Sequence, residues 1–463
     1  MKSVLLIDFG STYTKLTAVD VEGETLLGTA SAYTTVGTDI NDGLTEGLKR
    51  LAEKIGKVDF QETYACSSAA GGLRMVTSGL VPELTGEAAK LASLGAGAKV
   101  VGIYAFQLTE DDVEDIRQAK PDIFLLVGGT DGGNTECILH NAKMLAAMQP
   151  DFPIVIAGNR TAARQCQRIL AGYEVYVCPN VMPKFGVLNV EPTQKQIREI
   201  FLNRIIRAKG LSAVTTLLSD IMMPTPSAVL AAMELRAGGC EGEPGIGELV
   251  AVDVGGATTD IYSVADGMPE QMNTVFKGLP EPYAKRTVEG DIGMRYSIQG
   301  ILDAAGIARV CELSGLSEKR VLDLVQELKE NTDKVPDGDK ELEALDYALA
   351  CCAVAEAVTR HAGTIEETYT MMGKTFVQEG KNLTKVQRIV VTGGSLIHTK
   401  RTEKIAAHAL YDPMQPGSLR PKAADVWVDR TYILAAMGLL SFRYPQTALR
   451  IMKKELEFYG HSE

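Results

Sequence analysis

Apolar positions along the chain cluster in short runs with sharp ends. "KSVLLID" at 2–8 predicts a buried strand that ends in Asp8, and a turn carrying Gly10, Ser11 and Thr12 follows. A second strand runs from about Lys15 to Asp20, "VEG" turns the chain, and a third strand comes next. The stretch from 251, "AVDVGGATTDIYSV", repeats this order: strand, Asp253, a Gly255–Gly256 turn with Thr258 and Thr259, and a strand through Asp260. There "ADG" makes the turn and "QMNTVFKG" supplies the third strand. Two halves of related design explain the repeat most simply.

Other patterns fill the space between and after these hairpins. Residues 83–180 alternate four helical periods with four short apolar runs, which predicts a parallel α/β region covered by helices. Residues 192–237 read as helix interrupted at "SDIMMPTP", and 289–376 as mostly helix broken by a polar loop at 332–340. In "VQRIVVTGGSLIHTKRTEKIAAHAL" a strand ends in Gly393 and Gly394 before a helical period. Glycines at such a junction permit close approach of a flat ligand or its ribose. The expected segmentation is 1–82 for the start of one half, 83–245 for an inserted α/β and helical region, 246–445 for the second half and 446–463 for a tail.

A glycine-rich hairpin leaves backbone N–H groups pointing outward, and neighbouring hydroxyls add donors, so it can wrap a phosphate. An aspartate beside it would repel a phosphate unless Mg2+ or water lay between them. Two such hairpins facing one another across a cleft would hold a polyphosphate from both sides.

Composition narrows the partners. The 463 residues carry a formal charge of −12, which argues against a nucleic-acid backbone or an anionic membrane as the main partner. Eight cysteines never form Cys-x-x-Cys and read as buried free thiols. The first apolar segment is too short for a secretory leader, and "YILAAMGLLSF" at 432–442 falls short of the roughly 20 residues a bilayer span needs. A cytoplasmic, reduced protein is expected.

The three motifs "IDFGSTYTK", "VDVGGATTD" and "VVTGGS", in this order, resemble the phosphate 1, phosphate 2 and adenosine motifs of the actin, Hsp70 and sugar-kinase superfamily. With "LLVGGTDGGN", "MPTPSAVL" and "VEGDIGMRYS", nearly the whole chain resembles the glutamate mutase L (MutL) family. The resemblance implies an α/β fold of two actin-like, ribonuclease H-like ATPase halves with an inserted α/β region. It implies ATP and Mg2+ as cofactors, ATP hydrolysis coupled to conformational change, and a chaperone-like role in reactivating an adenosylcobalamin-dependent mutase. The mutase subunits are the implied partners, and an oligomer is compatible with it. Carried over by residue, Gly10, Ser11 and Thr12 match the first phosphate hairpin, with Asp8 holding Mg2+ through water. Gly255, Gly256, Thr258 and Thr259 match the second. Asp253 would orient a metal-bound or attacking water, and Asp260 would support the hairpin or the metal shell. Asp8, Asp253 and Asp260 form the implied catalytic set, and Gly393, Gly394 and Ser395 would face adenosine. Lys15 would either neutralise phosphate charge or point to solvent.

Other features stay open or weigh toward structure. "GGTDGG" at 128–133 is either a ligand loop or the turn after a buried strand. Glu289 and Asp291 read as acids at a helix start, and Asp220 as a cap in preference to a kinase base. His398 has no second histidine at ligand spacing, and "TYTMMGKT" at 368–375 fails as a P-loop because Thr368 replaces the first glycine in a context that reads as helical. The usual Asp-x-His-x-x-Gly of a cobalamin site is absent, so none is placed on this chain. The alternatives to a reactivating ATPase are a small-molecule kinase, an iron-sulfur ATPase activator of a dehydratase, which the scattered cysteines disfavour, and a nucleotide-gated scaffold.

Overall fold

The computed structural model describes residues 2–10, 13–33, 40–68, 73–208, 222–371 and 373–462. The chain divides into two units, Met1–Ala232 with Ala435–Ala448, and Met233–Leu434 with Leu449–Glu463.

In the first unit β1 (Ser3–Phe9), β2 (Tyr13–Asp20) and β3 (Thr25–Tyr33) form an antiparallel meander, followed by α1 (Ile40–Ile55). Strand β4 (Glu62–Ser67) then runs parallel to β1 on its other side. All seven residues of β1 are buried, which is why a central strand reads as an unbroken apolar run.

A second sheet in this unit is wholly parallel, in the order β6-β5-β7-β8-β9. Its strands are β5 (Leu73–Gly79), β6 (Ala98–Ala105), β7 (Ile123–Leu126), β8 (Ile154–Ile156) and β9 (Val175–Val177). The helices α2 (Glu87–Gly95), α3 (Glu110–Ala119), α4 (Glu136–Met148) and α5 (Arg160–Ile169) make its crossovers. The eight alternating elements expected over 83–180 are all present, and β5 joins them as the strand where the order reverses. After α6 (Glu191–Ala208), strand β10 (Met222–Pro224) adds to the first sheet beside β4 and leads into α7 (Thr225–Gly238).

A short ribbon, β11 (Gly239–Cys240) and β12 (Glu243–Pro244), opens the second unit. Its main sheet has the order β16-β14-β13-β19-β20-β21. The strands are β13 (Leu249–Val254), β14 (Thr259–Val264), β16 (Ala284–Glu289), β19 (Arg388–Thr392), β20 (Ala424–Val428) and β21 (Glu457–Ser462). Between β14 and β16 lies β15 (Thr274–Lys277), which pairs elsewhere, with the hairpin of β17 (Thr364–Thr370) and β18 (Gly373–Glu379).

Two expectations are corrected here. The third strand of the second meander is β16 and not "QMNTVFKG", because Lys285 and Arg286 give β16 the look of a loop while both side chains are in fact buried and paired. Thr364–Thr370 and Gly373–Glu379 pair as antiparallel strands and not as helix, as the β-branched and aromatic residues of "TIEETYT" favour.

Helices α8 (Ile298–Ala305), α9 (Ile307–Ser314), α10 (Glu318–Glu330) and α11 (Lys340–His361) follow β16. Asp339 caps α11, its Oδ1 accepting from the N–H of Glu341 at 3.0 Å and of Leu342 at 3.2 Å. Along α11, Leu345, Leu349 and Cys352 are buried in one core cluster with Val250, Val252, Ile389 and Val391 of the sheet. The short α12 (Gly394–Ile397) and α13 (Thr402–Ala406) separate β19 from β20, and α14 (Leu434–Ser441) and α15 (Pro445–Glu455) precede β21.

In both units, then, a meander lies beside a parallel fourth strand in the order third, second, first, fourth. This is the ribonuclease H-like order of actin-like ATPases, present twice, with a doubly wound α/β insertion in the first unit. No described helix is long and apolar enough to cross a membrane. All eight cysteines are free thiols.

Candidate functional site

Asp8 sits near the end of the central strand β1 and is buried. Its Oδ1 accepts from the Thr225 hydroxyl at 2.6 Å and from the Cys66 thiol at 3.5 Å, while Lys15, its partner across the ladder, holds Nζ 3.7 Å from Oδ2. Burial and the adjacent Asp8 push the Cys66 thiol well above its ordinary range. The turn beyond is closed by Gly10, whose N–H donates to the Tyr13 carbonyl at 3.1 Å. A Cβ at Gly10 would lie 2.5 Å from that carbonyl oxygen, so the position requires glycine. Ser11 and Thr12 lie outside the described residues.

The second hairpin has the same closure: the N–H of Gly255 donates to the Thr258 carbonyl at 2.9 Å. Asp253 is the last residue but one of β13 and is half-buried, and the residue opposite it on β14 is Asp260. Two carboxylates side by side repel unless a cation offsets part of their charge. Arg286 of β16 supplies it, with Nε 2.8 Å and Nη2 2.6 Å from Oδ1 of Asp260. Burial and Asp260 push the Tyr262 phenol well above its usual range. Thr258 reaches the other oxygen of Asp260 at 3.4 Å, and Thr259 turns inward to donate to the Ile292 carbonyl at 3.1 Å.

The turn's own carbonyls also face inward. Gly255 accepts from the N–H of Met294 at 3.0 Å, and Gly256 from those of Arg295 and Tyr296 at 2.8 and 2.9 Å. Arg295 is in turn locked by Asp346 on α11 at 2.8 and 2.9 Å. Gly256 and Ala257 are left as the exposed tip.

The glycine pair belongs to the same place in the second unit. Thr392 pairs with Asp253 in the parallel ladder, so Gly393 follows directly over Val254. Gly393 has φ +98° and a Cβ there would meet the Val254 carbonyl oxygen at 2.3 Å, which explains the glycine twice over. Gly394 is exposed and a side chain on it would meet open space, and Ser395 is half-buried in the first turn of α12. Asp253, Gly255, Gly256, Thr258, Asp260, Gly393, Gly394 and Ser395 are thus brought to one end of one sheet.

Of the remaining candidates, Glu289 ends β16 and Asp291 lies in the following turn, well before α8, and both carboxylates pair with Arg360 at 2.8 and 2.9 Å. The expected helix start is therefore corrected to an ion-paired turn. His398 is exposed at the end of α12, and Asp220 lies outside the described residues. The loop at 128–134 is held by neighbours: Asn159 accepts from the N–H of Gly132 at 3.1 Å, and Asn180 donates to the Gly129 carbonyl and to Asp131, each at 3.0 Å. The pattern did not point to Thr225, Arg286, Arg295 or Arg360. Thr225 stands in the quoted stretch "MPTPSAVL", but its carboxylate partner is 217 positions away.

Residues 4–456 match the sequence profile of the family described as MutL protein. Protein MutL of Clostridium tetanomorphum is 47% identical over 460 residues, covering 98% of this chain and 99% of that protein. The chain belongs to the MutL protein family. Solved structures similar to this MutL family member include component A of the Acidaminococcus fermentans (R)-2-hydroxyglutaryl-CoA dehydratase, 11% identical, with 97% and 100% of the two chains covered and a TM-score of 0.33. A diol dehydratase-reactivating factor in nucleotide-free form is 11% identical, with 96% and 100% covered and a TM-score of 0.36. Those likenesses are too slight to carry an argument.

Proposed function

We propose that this MutL family member is a cytoplasmic, Mg-ATP-dependent ATPase that reactivates an adenosylcobalamin-dependent mutase, glutamate mutase or a related aminomutase. The observation that supports it is the repeated hairpin: Asp8 and Asp253 are each the last residue but one of a central strand, two places before a glycine whose N–H closes the turn on the residue three places on. The N–H groups and hydroxyls of these turns are the phosphate ligands in this reading, with Lys15 adding charge and Gly393, Gly394 and Ser395 facing adenosine.

Among the described residues no three acidic, histidine or cysteine groups converge as a metal cage. In this reading the carboxylate of Asp8 or of Asp253 would hold Mg2+, which commonly takes one or two carboxylates together with phosphate and water. Mg2+ held there would supply neutralisation of phosphate charge. Asp253 orients the water that attacks in line, and Asp260, tied to Arg286, keeps the hairpin in place for it. Loss of the γ-phosphate contacts then shifts the protein between two states that the mutase senses.

The test adds the purified protein and Mg-ATP to an adenosylcobalamin-dependent mutase whose cofactor has been damaged. ATP-dependent recovery of mutase activity by the wild type and not by Asp253→Ala is expected. ATP hydrolysis without recovery for glutamate mutase or any related aminomutase would remove the mutase from this reading and leave the ATPase.

A further inference from the structure

The stretch "TIEETYT" is β17, an edge strand of the small sheet β15-β18-β17 in the second unit. Every residue from Glu366 to Thr370 is exposed. At its start the strand's outer side is occupied: the Ile365 N–H donates to the Gly417 carbonyl at 2.8 Å, and the Gly363 carbonyl accepts from the Leu419 N–H at 2.9 Å. That fixes the direction of the later groups, because the N–H and C=O of one strand residue point to the same side and the side alternates along the chain. Glu366, Thr368 and Thr370 therefore turn toward Val377, Thr375 and Gly373 on β18, while Glu367 and Tyr369 point both backbone groups outward. Those four groups have no partner among the described residues.

A bare edge of this kind is a template for another strand. The first unit treats an edge differently. On β3 the Arg50 side chain donates to the Ser31 carbonyl at 3.0 Å and Lys54 to the Thr29 carbonyl at 2.8 Å, so side chains of α1 stand where a further strand would bind. β17 carries neither a proline nor a basic residue to obstruct one.

The side chains specify which strand fits. Two copies of β17 related by a two-fold axis pair antiparallel about one residue, with outward groups meeting outward groups. An axis at Glu366 or at Glu367 sets that carboxylate against its own copy, which is destabilising. An axis at Ile365 is blocked by Gly417, and one at Tyr369 sets Glu367 beyond Thr370, the last residue of the strand. An axis at Thr368 sets Glu367 opposite Tyr369, Glu366 opposite Thr370 and Thr368 opposite itself. There the outward groups of both strands all pair, and no acid faces an acid. Tyr369 already donates to Glu367 along its own strand at 2.8 Å, and the axis offers the same two side chains to each other across the pair. We propose that β17 is a self-association edge, where two copies of this chain join antiparallel about Thr368 and merge their small sheets into one. The edge is independent of the nucleotide reading, since none of its residues belongs to the phosphate hairpins. Contact through residues 366–370 alone is at the small end of specific interfaces, so the dissociation constant is on the order of tens of micromolar.

The test is sedimentation velocity of the full chain over about 1–300 µM, a range that brackets that constant. A concentration-dependent dimer is expected. Tyr369→Pro removes an outward N–H and leaves the ladder to β18 intact, since proline is tolerated where the N–H faces out of a sheet, and it should weaken the dimer roughly tenfold or more. Register is read by cross-linking. Thr368 opposite its own copy is a non-hydrogen-bonded pair with Cα atoms about 4.5 Å apart, within the span of a disulfide. Thr368→Cys treated with diamide should therefore give a covalent dimer on a non-reducing gel, while Glu366→Cys and the wild type with its eight thiols should not. The cross-link decides the matter if Tyr369→Pro fails to fold. A monomer at every concentration, a dimer unchanged by Tyr369→Pro, or a Thr368→Cys chain that cross-links no better than Glu366→Cys or the wild type overturns the assignment.

Discussion

The two hairpins share a backbone device and differ in how their charge is met. Opposite Asp8 stands Lys15, and a hydroxyl from Thr225 completes the carboxylate's surroundings, so the first hairpin balances its aspartate locally. Opposite Asp253 stands a second acid, Asp260, and the balancing cation comes from Arg286 on the next strand. Asp8 is buried, whereas Asp253 is half-buried at the ladder's end. Under the proposed function the difference would divide the labour: Asp8 would anchor the metal and Asp253 would orient the attacking water, with Asp260 and Arg286 as its structural counterweight.

The largest effect expected is on turnover. Asp253→Asn should lower kcat for ATP hydrolysis by about 10²–10⁴-fold, the usual range for a lost positioning or proton-transfer group. Asp8→Asn should chiefly raise the Mg2+ concentration needed for half-maximal rate. Equal kcat losses with unchanged Mg2+ dependence would erase the proposed division. Next comes Arg286→Met, which leaves the half-buried Asp260 without its cation and should cost up to roughly 3–5 kcal/mol in denaturant unfolding. Arg286→Met combined with Asp260→Leu should recover most of that loss, and a double variant no better than the single would show that the pair is not the counterweight.

Much of this arrangement was legible in the chain because its signals are local. Aspartate, glycine and hydroxyl residues sit within a few positions of one another in each hairpin, and Gly393 declares a tight junction on its own. The alternating elements of the insertion were equally plain, but their order in the sheet depends on crossovers that periodicity does not encode, and β5 escaped notice as the strand at its reversal point. What could not be read were pairings across distance. Strand β16 was concealed by Lys285 and Arg286, whose charges mark a surface until Glu281 and Asp260 are seen beside them. Glu289 and Asp291 suggested a helix start because Arg360, their actual partner, comes about 70 residues later.

Smaller effects sharpen the comparison at the backbone. An added Cβ would stand 2.5 Å from a carbonyl oxygen at Gly10 but 3.0 Å at Gly255. Gly10→Ala should therefore destabilise its unit by about 1–3 kcal/mol and Gly255→Ala by less, as read from thermal unfolding. The reverse order would mean the two closures are not equivalent. Smallest of all, Thr225→Val removes one donor to Asp8 and should cost about 1–2 kcal/mol in the same measurement. No change would mean that Lys15 and Cys66 suffice.

The measurement that bears most directly on the hairpins as phosphate loops is the ratio of free phosphate to ADP released by purified protein with Mg-ATP and no added acceptor, alongside Asp253→Ala. The account predicts a one-to-one ratio, with water as acceptor, and loss of both products in the variant. Hydrolysis that survives Asp253→Ala undiminished, or a wild-type protein that neither binds nor hydrolyses ATP, would contradict it.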